Sequence, residues 1–395
     1  MKISCVFIFL FLLNTSYAQG IQFESDSTSW QTILDKAKKE KKLVFVDAVT
    51  SWCAPCKVMA KNVFPLQKVG DFFNANFINV KIDMEKNQNK VIGKTFSVEF
   101  YPTYLFISAD NELLHKGSNL MAVDSFMALG KTAIDPNNQF NTLKKKFKNG
   151  NCSPEFLKRF SYMCSDAYEE SLAIEVSSAY LQSQKDWFNK ENMLFIKDFS
   201  TWIENPAYSF VLANKEQFKT EFGWRFIATL EDFLPASNTF RKFFDNKKRE
   251  FDFTKAEAYL NKNLPKELAD KTLKRIKIWQ YEAQKDTVNL LKSTVAFFDN
   301  YTINDPRLFA KFASVFLEQA KEDAQLNKAL EWSLNYVRIE NNFDSYGLTA
   351  SIFFKLKNKI KAKEYALAAI EKAKKEKEDY SDIEALLKKI DSLKP

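Results

Sequence analysis

The sequence predicts an α/β domain followed by an all-α domain of stacked helical hairpins. In the first third of the chain, short apolar runs of strand length alternate with segments whose apolar residues recur at helical spacing. Beyond residue 138, period-2 alternation is almost absent, and helical segments are separated by short Asn, Asp, Pro and Gly breaks. Glycine is scarce, at 8 of 395 residues, which is unfavourable for an all-β fold with many tight turns.

An apolar leader precedes these domains. Lys2 gives it a positive start, Val6 to Leu13 is apolar, and Ser16-Tyr17-Ala18 has small residues at the −3 and −1 positions of a cleavage site. This pattern is typical of a secretory signal peptide over residues 1–18, cut before Gln19. Because no later run of about 18 apolar residues follows, we expect a mature protein without an integral membrane segment.

The elements of the α/β domain, residues 19–138, follow from the spacing of its apolar residues. Helical spacing and apolar runs of strand length alternate along this segment. In order, they predict a helix containing Trp30, Ile33, Leu34 and Ala37, a strand Leu43 to Val46, a helix that begins at the first cysteine pair and is broken by Pro65, helical turns over Leu66 to Phe73, a strand Phe77 to Ile82, a helix over 87–96, strands Thr103 to Ile107 and Glu112 to Lys116, and a helix Asp124 to Ala133.

The all-α domain, residues 139–395, contains a weak internal repeat. The segment Lys328 to Leu334 matches Lys361 to Leu367, 33 residues later. Paired antiparallel helices at this period resemble tetratricopeptide-type repeats. Stacked helical hairpins are the more general expectation, since the match covers about two units.

Two of the four cysteines outside the leader have a spacing with chemical meaning. Cys53 and Cys56 enclose Ala54-Pro55, after a predicted strand and at the start of a predicted helix. The N–H groups of a helix N-terminus favour a thiolate, which is the nucleophilic form of cysteine. The pair can therefore cycle between dithiol and disulfide, with Cys53 as the exposed attacking thiol and Cys56 as the resolving thiol. A structural disulfide or half of a zinc site are the alternatives, but zinc needs further ligands and the only histidine is His115.

The other two cysteines are expected to be free. Ser153-Pro154 predicts a helix start, so Cys152 and Cys164 lie about ten residues apart along one helix. At 1.5 Å per residue this separation is about 15 Å. A disulfide requires Cα atoms within about 7 Å.

Asp47 ends the predicted strand, six residues before Cys53. Burial raises the pKa of a carboxylic acid, so Asp47 could accept the proton of Cys56 when a mixed disulfide resolves. A polar strand end that faces water is the alternative. Trp52 is expected to flank the cysteine pair as an apolar shield.

Three separated features make residues 22–134 similar to the thioredoxin superfamily. Asp47 has the family's spacing ahead of the first cysteine, Cys53-Ala54-Pro55-Cys56 matches its redox motif, and Tyr101-Pro102-Thr103 matches a loop whose proline is cis and faces the disulfide. The Trp-Cys-x-x-Cys-Lys pattern resembles, more narrowly, exported thioredoxin-like proteins of Gram-negative bacteria. Gly117 matches a family glycine after the last strand.

This resemblance, with the chemistry above, gives the candidate site. The predicted catalytic residues are Cys53, Cys56, Asp47 and Pro102, and the predicted substrate-binding residues are Trp52, Ala54, Pro55, Tyr101 and Thr103. Two departures stand out. The lysine that the family often places beside the aspartate aligns with Asn79, with Lys81 two residues on. Tyr101 replaces a smaller residue at a position that touches substrate, which implies an unusual choice of partner.

The cysteine pair and the resemblance together predict an exported thiol–disulfide oxidoreductase, a disulfide reductase or isomerase, in the periplasm of a Gram-negative bacterium. Its expected partners are protein disulfide substrates and a thiol–disulfide protein that donates or accepts electrons, with no cofactor and no metal. The helical domain offers a surface for recruiting partners. The net charge of +8 is spread among mixed charges without a basic stripe, so no nucleic acid is expected. A non-catalytic binding or scaffold protein and a metal chaperone are the alternatives.

Overall fold

The computed structural model describes residues 20–86, 89–245, 250–303 and 305–393. The predicted signal peptide lies outside these ranges. The chain divides into two compact units, one ending at Lys185 and the other beginning at Asp186. Within the described ranges, every helix is too short or too polar to cross a membrane.

The first unit is built on a four-stranded sheet with the order β2-β1-β3-β4. Its strands are β1 Leu43–Val49, β2 Phe77–Asp83, β3 Thr103–Ile107 and β4 Leu113–Ser118. β1 is parallel to β2 and antiparallel to β3, and β3 is antiparallel to β4. The four strands lie where the sequence predicts them, although β1 and β4 extend two to three residues further.

In the described part of the first unit, eight α-helices accompany the sheet. They are α1 Trp30–Glu40, α2 Ala54–Asn62, α3 Gln67–Asn76, α4 Lys90–Thr95, α5 Val123–Ala133, α6 Phe140–Lys148, α7 Pro154–Asp166 and α8 Glu170–Gln182. The hydroxyl of Ser29 caps α1 by accepting from the N–H of Thr32. α2 ends three residues before Pro65, as the missing N–H of proline predicts.

Helices cover both faces of the sheet. One face packs against Ile33 and Ala37 of α1. The other carries a cluster of phenylalanines, in which the ring of Phe73 from α3 stacks on Phe126 from α5 with centroids 4.6 Å apart. The predicted α/β domain is therefore confirmed, and the structure places core clusters on both faces of its sheet.

Helices α6 to α8 belong to the first unit, and α6 and α7 pack against β4 of the sheet. The N–H of Phe140, at the start of α6, donates to Nδ1 of His115 in β4 over 3.1 Å. Burial lowers the pKa of His115 to about 4, so its imidazole is neutral and free to accept this bond. The predicted domain boundary at residue 138 falls inside this compact unit, after the last strand and α5, and it stays a prediction.

The second unit is mainly helical, which confirms the predicted class. Its helices are α9 Lys190–Phe199, α10 Pro206–Ala213, α11 Lys215–Phe222, α12 Trp224–Ala228, α13 Leu234–Phe243, α14 Phe253–Asn263, α15 Lys266–Gln284, α16 Thr287–Asn300, α17 Pro306–Gln319, α18 Asp323–Glu340, α19 Phe343–Lys355, α20 Lys359–Glu376 and α21 Ser381–Asp391. A π-helical turn, Thr229–Phe233, joins α12 to α13. A two-stranded hairpin, β5 Phe244–Asp245 and β6 Glu250–Phe251, was not predicted, because strands of two residues are too short to show alternation.

The internal repeat corresponds to equivalent helices. Its two copies lie in α18 and α20, and successive helices from α17 to α21 pack against one another. Ala329 and Ala362, at the same repeat position, are both fully buried. Ser333 and Ala366, four residues on, are buried as well. The period of 33 residues therefore reflects small residues that let adjacent helices approach.

Candidate active site

The disulfide between Cys53 and Cys56 lies at the start of α2. Cys53 is the N-cap of this helix, and its Sγ accepts a hydrogen bond from the N–H of Cys56 over 3.1 Å. The two Cα atoms are 5.4 Å apart, within the usual range for a disulfide. Pro55 occupies the first turn, where a backbone N–H is not needed. The local sequence thus places a sulfur where helix N–H groups favour negative charge.

The expectation that Cys53 is exposed is wrong for this oxidised form. Only 2% of Cys53 and 5% of Cys56 is accessible to solvent. The two cysteines cluster with Val49, and Tyr101 packs against that cluster. Tyr101 supplies part of this cover, which the spacing of the cysteines alone could not reveal.

Trp52 directly precedes Cys53 and is 65% exposed, and its role as an apolar shield stays a prediction. Its ring meets that of Tyr101 edge to face, with centroids 6.0 Å apart and planes at 86°. Its Nε1 donates to Oε1 of Glu85 over 2.9 Å, and the hydroxyl of Ser51 donates to the other oxygen of that carboxylate. Sequence reasoning missed Glu85. Its position just after β2 could have indicated a place near Trp52, which follows β1, because the carboxyl ends of parallel strands lie side by side.

Asp47 is buried in β1, with 1% exposed. Among the described residues, neither carboxylate oxygen has a hydrogen-bond partner. Burial raises the pKa of Asp47 to about 7, and the charge of Lys81 opposes this rise. The solvent-facing alternative is therefore wrong.

Lys81, and not Asn79, is the residue beside Asp47. The parallel register pairs Asp47 with Lys81, whereas Asn79 pairs with Phe45. The side-chain amide of Asn79 instead donates to the carbonyl of Gln22 and to Asn74. The register thus pairs Asp47 with Lys81, whose side chain is exposed, and the departure from the family's lysine at Asn79 stays a prediction.

The peptide bond between Tyr101 and Pro102 is cis, as the resemblance implied. Pro102 is buried, and its carbonyl accepts from the N–H of Asn119 over 3.2 Å. The hydroxyl of Thr103 donates to the carbonyl of Phe100 over 2.7 Å. Thr103 is itself 2% exposed, so this hydrogen bond stabilises the loop from its buried side. Its contact with substrate stays a prediction.

The predicted substrate-binding residues divide by exposure. Trp52, Ala54 and Pro55 are exposed, and Tyr101 is half-buried. Trp52 and Tyr101 touch each other and border the disulfide, so they form one surface. These positions are compatible with their predicted roles, which remain predictions.

Gly117 in β4 packs closely against the side chain of Leu129 in α5. A Cβ atom at this position would lie 2.6 Å from Cδ1 of Leu129 in α5. The glycine matched to the family therefore lets α5 approach the sheet beside the site.

The remaining cysteines are free, as expected, with Cys152 exposed and Cys164 buried. In the described ranges, no group of three His, Cys, Asp or Glu side chains has the arrangement of a metal site.

Comparison with known proteins places these features in a family. Residues 19–97 match the family described as Thioredox_DsbH, protein of unknown function, DUF255. Thioredoxin H4 of Arabidopsis thaliana is 39% identical over 80 residues, which are 20% of this chain and 63% of that protein. The chain thus spans just under two thirds of that relative.

Two further relatives are covered more fully. A thioredoxin H-type protein of Picea mariana is 33% identical over 91 residues, covering 23% of this chain and 68% of that protein. A solution structure of a candidate disulphide-isomerase from Bacteroides thetaiotaomicron shares 36% identity, with a TM-score of 0.28, and the match covers 30% of this chain and 98% of that chain. Through its N-terminal α/β domain, the chain belongs to the thioredoxin family.

Proposed function

We propose that this protein is an exported thiol–disulfide oxidoreductase that reduces or exchanges disulfides in protein substrates. The observation that carries the proposal is the Cys53–Cys56 disulfide at the N-terminus of α2 in a thioredoxin-family domain. The same domain holds a buried Asp47 and a cis-proline, Pro102. In this proposal Cys53 is the nucleophile, Cys56 is the resolving thiol and Asp47 is the proton acceptor.

The reductive half-reaction begins with the dithiol form. The thiolate of Cys53 attacks one sulfur of the substrate disulfide, which breaks the substrate S–S bond and releases one substrate thiolate. A mixed disulfide then joins Cys53 to the substrate. Cys56 attacks Cys53, releases the second substrate thiolate and forms the Cys53–Cys56 disulfide. The substrate gains two electrons, and the enzyme loses them.

Asp47 is the proposed acceptor of the Cys56 proton in the resolving step. A pKa near 7 lets this carboxyl take up and release a proton near neutral pH. The nearby charge of Lys81 moderates the effect of burial. A thiol–disulfide protein would then restore the dithiol, or remove electrons in the reverse direction.

Export and partner recruitment belong to the same proposal. The leader pattern over residues 1–18 supports secretion, and we place the mature chain in the periplasm of a Gram-negative bacterium. The stacked helices of the second unit supply surface for a protein partner. Intact mass of the protein recovered by osmotic shock tests the location: a chain beginning at Gln19 is expected, and a retained Met1 would contradict export.

A non-catalytic binding role is the second candidate. The burial of both cysteines favours it, because a covered disulfide exchanges slowly. Redox chemistry is the discriminating property, since a binding module has no need of a titratable pair.

The first experiment is a redox titration of the full-length mature protein in glutathione and dithiothreitol buffers. Thiol labelling and intact mass should show a two-electron transition at Cys53–Cys56, and its midpoint sets the direction of electron flow. Cys56→Ser should trap a mixed disulfide with insulin, whereas Cys164→Ser should behave as wild type. A pair that does not titrate would remove the enzyme proposal and favour the binding role.

A further inference from the structure

The turn between α7 and α8 packs against the loop that carries the cis-proline. The ring of Tyr168, in this turn, stacks on the ring of Phe100 with centroids 4.3 Å apart and planes at 21°. Phe100 directly precedes Tyr101, which packs against the cluster containing the disulfide. One pair of stacked rings therefore joins the helical segment to the loop that covers the active cysteines.

The same turn also holds the loop after β4. The hydroxyl of Tyr168 donates to Oδ1 of Asn119 over 2.6 Å. The N–H of Asn119 donates in turn to the carbonyl of Pro102. The hydroxyl of Ser118 donates to the backbone carbonyl of Asp166, at the end of α7. Tyr168 thus reaches the cis-proline by two routes, through the Phe100 ring and through Asn119.

A largely buried ion pair fixes the turn on the sheet. Nζ of Lys116 lies 2.9 Å from Oε1 of Glu169, and the side chains are 4% and 27% exposed. The same ammonium group donates to the carbonyl of Ser97 over 3.3 Å, in the loop that leads to the cis-proline. Burying two charged groups costs desolvation energy, and only close, well-oriented contacts between them compensate that cost. The ion pair therefore links the turn to β4 and to the loop at Ser97.

We propose that Tyr168 is a positioning residue for thiol–disulfide exchange with protein substrates. Through Phe100 and Asn119 it holds the Tyr101–Pro102 loop in the arrangement that receives the substrate chain. A loop that is already ordered loses less conformational entropy when substrate binds, so its order lowers KM. This inference rests on the proposed function, and it gives the turn between α7 and α8 a role in supporting the cis-proline loop.

The test compares Tyr168→Leu with Phe156→Leu in the full-length mature protein. Phe156 is the matched control, because it lies in α7 and its ring packs on Phe160 with centroids 5.6 Å apart. Insulin reduction is followed with dithiothreitol as the electron source, and KM and kcat are determined separately. Tyr168→Leu should raise the KM for insulin about five-fold, the size expected for one side chain that must be ordered on binding. Phe156→Leu should leave KM unchanged.

Conservative rescue separates positioning from simple packing. Tyr168→Phe keeps the stacked ring and should recover most of the lost affinity for insulin. The reduction potential of Cys53–Cys56 and the far-ultraviolet circular dichroism of each variant report whether the fold is intact. If Tyr168→Leu does not fold, Phe100→Leu tests the same stack from its other side. It should raise KM by a similar factor.

The outcomes are distinguishable. If wild type reduces insulin and Tyr168→Leu has the same KM, the positioning role is overturned and the proposed function stands. If wild type neither reduces insulin nor shows a titratable cysteine pair, both are overturned. The double variant Tyr168→Leu/Phe100→Leu tests the stack itself. If its KM rises no more than that of either single variant, the stacked rings are the route. If the two increases add as free energies, the stack is contradicted.

Discussion

Replacing Asp47 by asparagine should change how the stability of the sheet depends on pH. Burial raises the pKa of Asp47 from 3.8 to about 7 in the folded protein. Between about pH 4 and pH 7 the folded state therefore keeps a proton that the unfolded state has released, so the free energy of unfolding falls as pH rises across this window. Above about pH 7 both states are ionised at this residue, and the cost of the buried charge becomes constant.

The magnitude follows from the shift. A rise from 3.8 to about 7 is about three pKa units, and one unit corresponds to about 1.4 kcal/mol. Asparagine has nearly the same shape, and the cost of burying its amide is the same at every pH. The stability of Asp47→Asn minus that of wild type should therefore grow by up to about 4 kcal/mol between pH 4 and pH 9.

Hydrogen exchange is the suitable assay, because it reports opening of the sheet separately from the helical unit. Protection of the amides in β1 and β3 is measured by mass spectrometry at several pH values and corrected for intrinsic exchange. Asp71→Asn, at an exposed carboxylate, controls for the loss of one formal charge. A difference between Asp47→Asn and wild type that stays flat from pH 4 to pH 9 would refute the reasoning, since it would mean that Asp47 titrates alike in both states.

Three further predictions concern other parts of the chain. Iodoacetamide at pH 8 should label Cys152 and spare Cys164 in the folded protein, because burial of Cys164 excludes the reagent and raises the pKa of its thiol; peptide mass mapping checks this. Phe126→Ala should cost about 3–5 kcal/mol in urea unfolding, since its buried ring stacks on Phe73; a loss below about 1 kcal/mol would contradict the described packing. Asn342→Ala removes the cap of α19 and should cost about 1 kcal/mol in the same assay, whereas Asn342→Asp should retain most of the stability.

The strands and the redox motif could be predicted because local sequence determines them. The apolar run at β1 and the cysteine spacing depend only on neighbours in the chain, and the cis-proline was inferred from a motif of three residues. The register between β1 and β2 could not be read in this way. A shift of two residues keeps the same face buried, so Asn79 and Lys81 were equally compatible with the pattern.

The surroundings of the disulfide needed the three-dimensional structure. Glu85 is 33 residues from Trp52, and Tyr168 is 68 residues from Phe100. No periodicity connects such pairs, because their contacts arise from the packing of separate elements. The burial of Cys53 has the same origin, since Tyr101, 48 residues further along the chain, packs against the cysteine cluster.

The outer strands of the sheet have a consequence for self-association. An open strand edge is a template on which another chain can add a strand and begin to aggregate. At one side, Phe23 forms a bridge with Asn79 of β2, and at the other side α6 and α7 pack against β4. An approaching strand would have to displace these segments first. The sheet is thereby guarded against intermolecular pairing in any compartment where the folded protein becomes concentrated.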